Sequence, residues 1–530
     1  MGSLSGGPKD ITPPQIKSAE PENASTNFNS NKVTIVFDEY ISLRDLQNKM
    51  IVSPPMQPKP EVNVHGKKLI IKLNADSLQE NKTYQINFGN SIVDVNEGNP
   101  LNGFTYSFST GPIIDSLKVA GNIVDALSLK PVEGVIVSLY AQNEKENFTS
   151  KTPQYLTFTD KNGRFKIEHI AEGEYAIFAL KDANNNYYFD QATEEIAFLD
   201  SIIIPNVETK ISPNDSTKTI TEYLPFDLNL KLFAEDNQKQ YISKIERIHP
   251  GRIQITFDKP NREKPEFKFS EEIEHLYYIS KNRDSINFWL QEDANNFKDS
   301  IIIYFNYYAT NAKQEIISDT AIAVKKSKTN IPKLEVKLSG KQELYSPIIV
   351  NFENPISKID TSKIFLSETK DKTELIKFNC KQAENPTQLE INADVESGTE
   401  YYLFIEESAF QDIYKQNNTQ DTLKFTVKMA SEYGSLIVVL NADSESAFAE
   451  LLINEKVQRK AYLENGKITF ENIPVGKYRI RITQDLNKNG FWDTGNYSEN
   501  LQPEPVFYYN EEYEIRSNWQ HELEWEIPFK

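Results

Sequence analysis

Apolar and polar residues alternate along most of this chain, and the alternation recurs in related blocks. Residues 163–190, "GRFKIEHIAEGEYAIFALKDANNNYYFD", lie over residues 466–493, "GKITFENIPVGKYRIRITQDLNKNGFWD", without a gap. Gly163/Gly466, Glu168/Glu471, Ile170/Ile473, Gly173/Gly476, Tyr175/Tyr478 and Ile177/Ile480 match. Each copy predicts a strand of period two, a Gly turn ("EGEY", "VGKY"), a second such strand, and then a polar loop. A shorter pattern occurs three times: "VTIVFDEYISL" from Val33, "IQITFDKPNRE" from Ile253 and "IIVNFENPISK" from Ile348. Two of these blocks continue into Tyr-rich strands, "KTYQINFGN" and "TEYYLFIEE", and end on "FTYSFSTG" and "LKFTVKMA". Helical periodicity is weak everywhere except for single turns such as the one in "YISLRDLQNKM". The expected fold is all-β: an elongated tandem of small antiparallel β-sandwiches separated by Pro, Gly and Asn turns.

The repeats and the turn-rich stretches between them set the expected boundaries: a tether at 1–10, modules at 11–111 and 112–205, a linker at 206–221, and modules at 222–328, 331–429 and 434–530. The linker segment "VETKISPNDSTKTITE" also reads as a long hairpin. A length of 530 residues exceeds what one core supports, and 26 Tyr and 30 Phe supply several small aromatic cores. A formal charge of −19, with no Lys/Arg cluster, opposes binding to nucleic acid or to an anionic membrane surface. The single cysteine, Cys380, excludes a disulfide framework and a cysteine-based zinc site. His65, His169, His249, His275 and His521 lack metal-ligand spacing. No apolar run is long enough to span a bilayer, and "MGSLSGGPKDITPPQ" has no signal core, so an export signal is expected upstream of Met1.

The first two modules carry a family resemblance. "PPQIKSAEPENAS", "VTIVFDEYISL", "KTYQINFGNSIVDVNEGNPL" and "YSFSTG" resemble the bacterial Ig-like domain of surface-layer and envelope proteins. "GNIVDALSLKPVEGVIVSLY", "TDKNGRFKIEHI" and "EGEYAIFALKD" resemble the prealbumin-like sandwich of carboxypeptidase regulatory domains. Module five keeps the second half of that pattern without its opening strands. In this order the pair is similar to Ig-like-domain lipoproteins of Bacteroidota. The resemblance implies a non-catalytic, lipid-anchored outer-membrane scaffold or binding subunit of an assembly or export complex. Its expected partners are envelope and outer-membrane proteins, with the membrane reached through an N-terminal lipid. The alternatives are a surface adhesin and a glycan-binding or glycan-processing accessory protein.

Candidate sites are few. Asp182, Asn184, Asn186 and Asp190, and again Asp485, Asn487, Asn489 and Asp493, stand at positions one, three, five and nine of a calcium-type loop, with the Tyr188 and Phe491 carbonyls between them. Position twelve is Thr193 or Asn496 rather than Glu, and the Gly of position six is Gly490 in one copy and Tyr187 in the other. The alternative is a loop held by Asx turns with Tyr188, Phe189, Phe491 and Trp492 packed inward. The pattern Asp, Ser/Thr, small or aliphatic residue resembles an O-glycosylation acceptor of exported Bacteroidota proteins. It would place sugar on Ser77, Ser116, Ser201, Ser216, Ser285, Ser300, Thr320 and Thr422. Turns feeding strands use the same residues for backbone bonding. No nucleophile elbow, Walker loop, Rossmann glycine pattern or zincin motif occurs, so no catalytic residue and no cofactor other than calcium is expected. Carboxylate pairs in "FDEY", "ATEE", "FSEEIE" and "FIEES" leave a glycosidase-like site formally open.

Overall fold

A computed structural model describes residues 10–191, 193–212, 215–236, 240–261, 263–291, 297–308, 316–325, 330–440 and 446–529. The expected tether at 1–10, except its last residue, and the boundary at 328 lie outside them. The described residues are almost all β, with many small, mainly antiparallel sheets, one α-helical turn, Leu46–Lys49, and a few short 3-10 turns. Two compact units are formed, residues 1–235 with 493–506, and residues 236–492 with 507–530.

In the first unit, residues 10–111 form a sandwich. One sheet orders its strands as Ile16–Glu20, Lys32–Phe37, Lys68–Lys72 and Glu61–His65. The facing sheet runs Ile51–Ser53, Thr83–Asn87, Thr105–Ser109. The period-two pattern is the cause: Val33, Ile35 and Phe37 point inward to meet Tyr84, Ile86, Tyr106 and Phe108, while Lys32 stays exposed.

The next module is larger than the sequence suggests. Its seven strands follow the order Tyr155–Phe158, Ile136–Ala141, Tyr175–Lys181, Glu195–Phe198, Leu228–Ala234, Leu117–Asp125, Arg164–Ile170. Leu228–Ala234 lies parallel to Leu117–Asp125, with Gly121 opposite Leu228 and Ile123 opposite Leu230. Leu230 and Leu232 are fully buried with Val119, Ile123 and Ile167. The module therefore runs past the expected end at 205, and Leu228–Ala234 leaves the block assigned to 222–328. The segment expected as a linker at 206–221 is an antiparallel hairpin, Asn206–Ser212 with Asp215–Leu224. The parallel strand needs a long return path, and the hairpin occupies it. Residues 493–506 also pack on this module, as described below.

The second unit contains three sandwiches. The first pairs Ile242–His249, Arg252–Phe257, Ser285–Leu290 and His275–Ile279 against Glu266–Phe269, Ser300–Tyr308 and Ile316–Val324. Ile253, Ile255, Phe288, Ile303 and Phe305 fill the space between them. The second places Val336–Leu338, Ile348–Phe352, Gln388–Ala393 and Phe378–Gln382 over a five-stranded sheet centred on Glu400–Ile405. The third repeats the closure seen in the seven-stranded module of the first unit. Tyr433–Leu440 pairs antiparallel with Lys467–Pro474 and parallel with Gln520–Trp525, as Leu117–Asp125 does with Arg164–Ile170 and Leu228–Ala234. Tyr433–Leu440 is the first of the opening strands that the sequence of module five left open.

Candidate functional site

The strand Tyr175–Lys181, buried along nearly its whole length, delivers the first polar loop to the end of its sheet. Asp182 turns back on the loop: Oδ1 accepts from the backbone N–H of Asn184 at 3.1 Å and Asn185 at 2.7 Å, and Oδ2 from Tyr187 at 2.8 Å. Asn184 Oδ1 accepts from Asn186 N, and Asn186 Oδ1 from Tyr188 N, a ladder of Asx turns. The amide nitrogens of Asn184 and Asn186 donate to the two oxygens of Asp190 at 3.0 and 2.8 Å. All four expected residues of this copy are thus brought together.

A residue absent from the candidate set closes the loop. Glu194 is 1 % exposed and accepts from Ala183 N at 3.0 Å through Oε1 and from Gln191 N at 3.2 Å through Oε2. Its counterpart, Glu504, is 4 % exposed and accepts from Asp493 N at 3.0 Å. Glu194 was visible in the sequence only as half of a carboxylate pair. The usable signal was an acidic residue shortly after both loops, at unequal distances that a gapless overlay conceals.

In the second copy, Asp485 accepts from Asn489 N at 3.0 Å and Gly490 N at 2.8 Å, Asn487 Oδ1 from Asn489 N, and Asn489 Oδ1 from Phe491 N. Position six is left-handed in both copies, φ 78° at Gly490 and 70° at Tyr187. The glycine is the unstrained solution. Tyr187 holds the same conformation with its ring under the Lys59 ammonium, 4.8 Å from the centroid. Phe189 stacks on Phe148, and Phe491 lies between Arg283 and Lys460, at 5.0 and 5.2 Å. Burial holds the Lys460 ammonium below its ordinary range.

The donor types suit calcium, and in this arrangement they are engaged with one another. In the first copy the two Asn side chains present amide hydrogens to Asp190, and both Asp182 oxygens face backbone N–H groups, so the loop balances its polar atoms without a cation. Among the described residues, no three His, Cys, Asp or Glu side chains converge as metal ligands. The melting temperature should therefore be the same in calcium and in chelator. Asp182→Ala should lower it in both, by an amount corresponding to about 1 kcal/mol per lost cap. A rise on adding calcium that disappears in Asp485→Ala would establish a bound ion instead.

Apart from Asp38 and Glu39, where burial and the neighbouring Asp94 and Asp38 carboxylates push Glu39 up, the carboxylate pairs do not converge. Asp38 accepts from Gln15 N at 2.8 Å, Glu195 pairs with Lys181 while Glu194 points into its loop, Glu271 pairs with Lys298, and Glu406 lies 3.7 Å from Lys372. Asp412 is a fully buried carboxylate whose affinity for protons is raised by burial. It is spent on Asn354, Tyr414 N and Gln416 N. A cavity of about 470 Å³ opens beside Phe267, Phe269, Ile273 and His275. The Glu271 and Glu272 carboxylates at its rim are exposed to solvent.

Of the possible glycosylation acceptors, Ser116, Ser201, Ser300, Thr320 and Thr422 are exposed, while Ser77 and Ser285 are half-buried. The side chain of Ser216 lies outside the described residues. Asp319 and Asp421 each accept from the N–H of the following Thr at 2.7 Å, as strand-entry turns do.

Residues 10–110 match the model of the bacterial Ig-like domain family. No curated protein matches the chain. Among solved structures, the chain is similar to the major pilin subunit BcpA of Bacillus cereus, at 12% identity, covering 77% of this chain and 99% of the pilin, with a TM-score of 0.15. It is also similar to the S-layer protein rSbsC(31-844), at 11% identity, covering 94% and 66%, with a TM-score of 0.15. A third is native alpha-2-macroglobulin from Escherichia coli, domains MG0-NIE-MG1, at 10% identity, covering 47% and 95%, with a TM-score of 0.19. Among the described residues, no helix is long and apolar enough to cross a membrane.

Proposed function

We propose that this chain is a non-catalytic cell-envelope protein, a scaffold or binding subunit of an outer-membrane assembly held there by an N-terminal lipid. The observation that carries the reading is the bacterial Ig-like match over residues 10–110, followed by further sandwiches whose polar clusters are spent on holding turns. Such modules recognise partners through loops and strand edges, and a charge of −19 favours protein surfaces over phosphate or anionic lipid. The protein purified from its own outer membrane should carry an acyl chain and co-purify with outer-membrane proteins in fixed stoichiometry. Recovery of an unacylated, solitary protein would refute the proposal. Intact mass against unmodified chain plus lipid tests sugar at the exposed acceptors, equal masses excluding it.

The aromatic cavity at Phe267, Phe269 and His275 favours a second reading, a glycan-binding accessory protein or adhesin. Binding to oligosaccharides that is lost in Phe267→Ala would support it.

A further inference from the structure

Within the second unit, two sandwiches meet at a pair of turns. The turn between the strands Ile242–His249 and Arg252–Phe257 faces the turn that follows the strand Phe410–Asp412. Tyr414 Oη donates to the Gly251 carbonyl at 3.0 Å, and a Cβ on Gly251 would lie 2.2 Å from that hydroxyl. Only glycine permits this approach. Tyr414 packs edge-on against His249 and Phe297, with centroids at 5.9 and 6.1 Å. Arg247 braces the turn from below, giving Nε and Nη2 to the Pro250 carbonyl and Nη1 to that of Lys298.

His249 is 4 % exposed at the centre of this contact. Its Nδ1 accepts from Gly251 N at 3.2 Å, so the neutral ring carries its proton on Nε2. Nε2 and Asn354 Oδ1 are both buried without a well-formed hydrogen bond. From its own sandwich the ring meets two guanidinium charges, Arg252 and Arg247. From the other it meets Glu353, already engaged by Lys337, and the Asn354–Asp412 pair.

We propose that this contact is a proton-operated joint: protonation of His249 turns Nδ1 from acceptor to donor against the Gly251 N–H, breaks that bond, and releases the Tyr414 turn of the neighbouring sandwich. Protonated Nδ1 would oppose a donor and place a third positive charge beside Arg247 and Arg252 in a site closed to water. Burial first, and then Arg252, hold the imidazole down at about 4 from its ordinary 6.5, with Asn354 and Glu353 pulling weakly the other way. The sign follows from the depressed value. The open joint binds the extra proton more readily, so closure is fully favoured above pH 6.5 and is lost progressively as pH falls towards 4. Opening should become almost tenfold more favourable per pH unit, roughly, within that window. Burial raises Asp412, whose protonation therefore acts in the opposite sense, favouring closure as pH falls. Burial also drives the Tyr414 phenol upward, keeping it a neutral donor throughout.

Hydrogen exchange on the full chain tests the joint, with rates corrected for intrinsic exchange and residues 10–110 as the internal reference. Peptides covering 245–255 and 408–418 should exchange at least about tenfold faster at pH 5 than at pH 7.5 while the reference is unchanged. In His249→Asn, whose Oδ1 can replace Nδ1 as acceptor, the acid response should vanish. Tyr414→Phe should exchange fast at both values. Equal protection at both pH values in the natural chain, or an undiminished response in folded His249→Asn, would overturn the proposal. Should His249→Asn not fold, Asp412→Asn decides: a retained acid response supports His249 as the trigger, and a lost one refutes it.

Discussion

Gly121→Ala should destabilise the seven-stranded module of the first unit by about 2–4 kcal/mol, an overpacking cost, although the same substitution in an open strand commonly stabilises. The reason is the parallel strand that the sequence did not reveal. A Cβ on Gly121 would sit 2.1 Å from the Leu228 carbonyl oxygen and 2.7 Å from Leu228 Cβ. A backbone oxygen cannot move aside as a flexible side chain can, so the Gly121–Leu228 register must open. Leu230 and Leu232, both fully buried one step along, lose their seating with it. Because the chain holds several cores, one melting temperature would average over them, and exchange of the 117–125 and 228–234 amides is the better measure. Their protection should fall by about 30- to 1000-fold, the same free energy at 1.4 kcal/mol per decade. Gly340→Ala, where a Cβ meets nothing within 4 Å, should leave protection of its own neighbourhood unchanged. Unaltered exchange in Gly121→Ala would refute the account of this closure.

The same strand shows where sequence reading succeeds and where it stops. "VTIVF" and "IQITF" carry their own burial pattern, because a strand with one face in a core needs only its own residues to say which face that is. The duplication likewise made the Gly turns and polar loops legible in advance. What stayed hidden were partnerships between distant segments. "LNLKLFA" alternates like any other strand, and nothing local distinguishes a parallel neighbour 107 residues away, Asn122 against Asn229, from an antiparallel one nearby. For the polar loops, the ligand-like spacing was readable, but the direction of each amide was not. Asn184 and Asn186 supply oxygens to a metal or hydrogens to Asp190 with the same letters. His249 is the extreme case. Its role depends on Gly251, Tyr414 and Asn354, which come together only in the folded second unit.

Tyr497→Ala should cost about 2–3 kcal/mol locally, below the range for emptying a fully buried aromatic site because the ring is half-buried, and Tyr497→Phe almost nothing. Within the first unit, residues 493–506 lie on the outer face of the seven-stranded sheet. The Tyr497 ring stands edge-on to Phe148, Phe178 and Phe198, with centroids at 5.3, 5.8 and 5.6 Å. Those three rings are almost completely buried beneath the half-buried Tyr497, so removing it exposes their stiff aromatic faces to water. Burial first, and then the Glu146 carboxylate, push the phenol up to about 12, so the hydroxyl stays neutral there. Neighbouring bonds fix the segment without the ring, Thr494 Oγ1 to the Ala234 carbonyl at 2.7 Å and Gln502 Nε2 to the Phe198 carbonyl at 3.1 Å, so the loss should be graded rather than complete. Exchange of residues 142–149 and 493–506 should accelerate by at least about 30-fold in Tyr497→Ala, the counterpart of about 2 kcal/mol, while residues 10–110 keep their rates. Normal protection in Tyr497→Ala would mean that the polar contacts alone hold the segment. Strong loss in Tyr497→Phe would mean that the hydroxyl, rather than the ring, is the anchor.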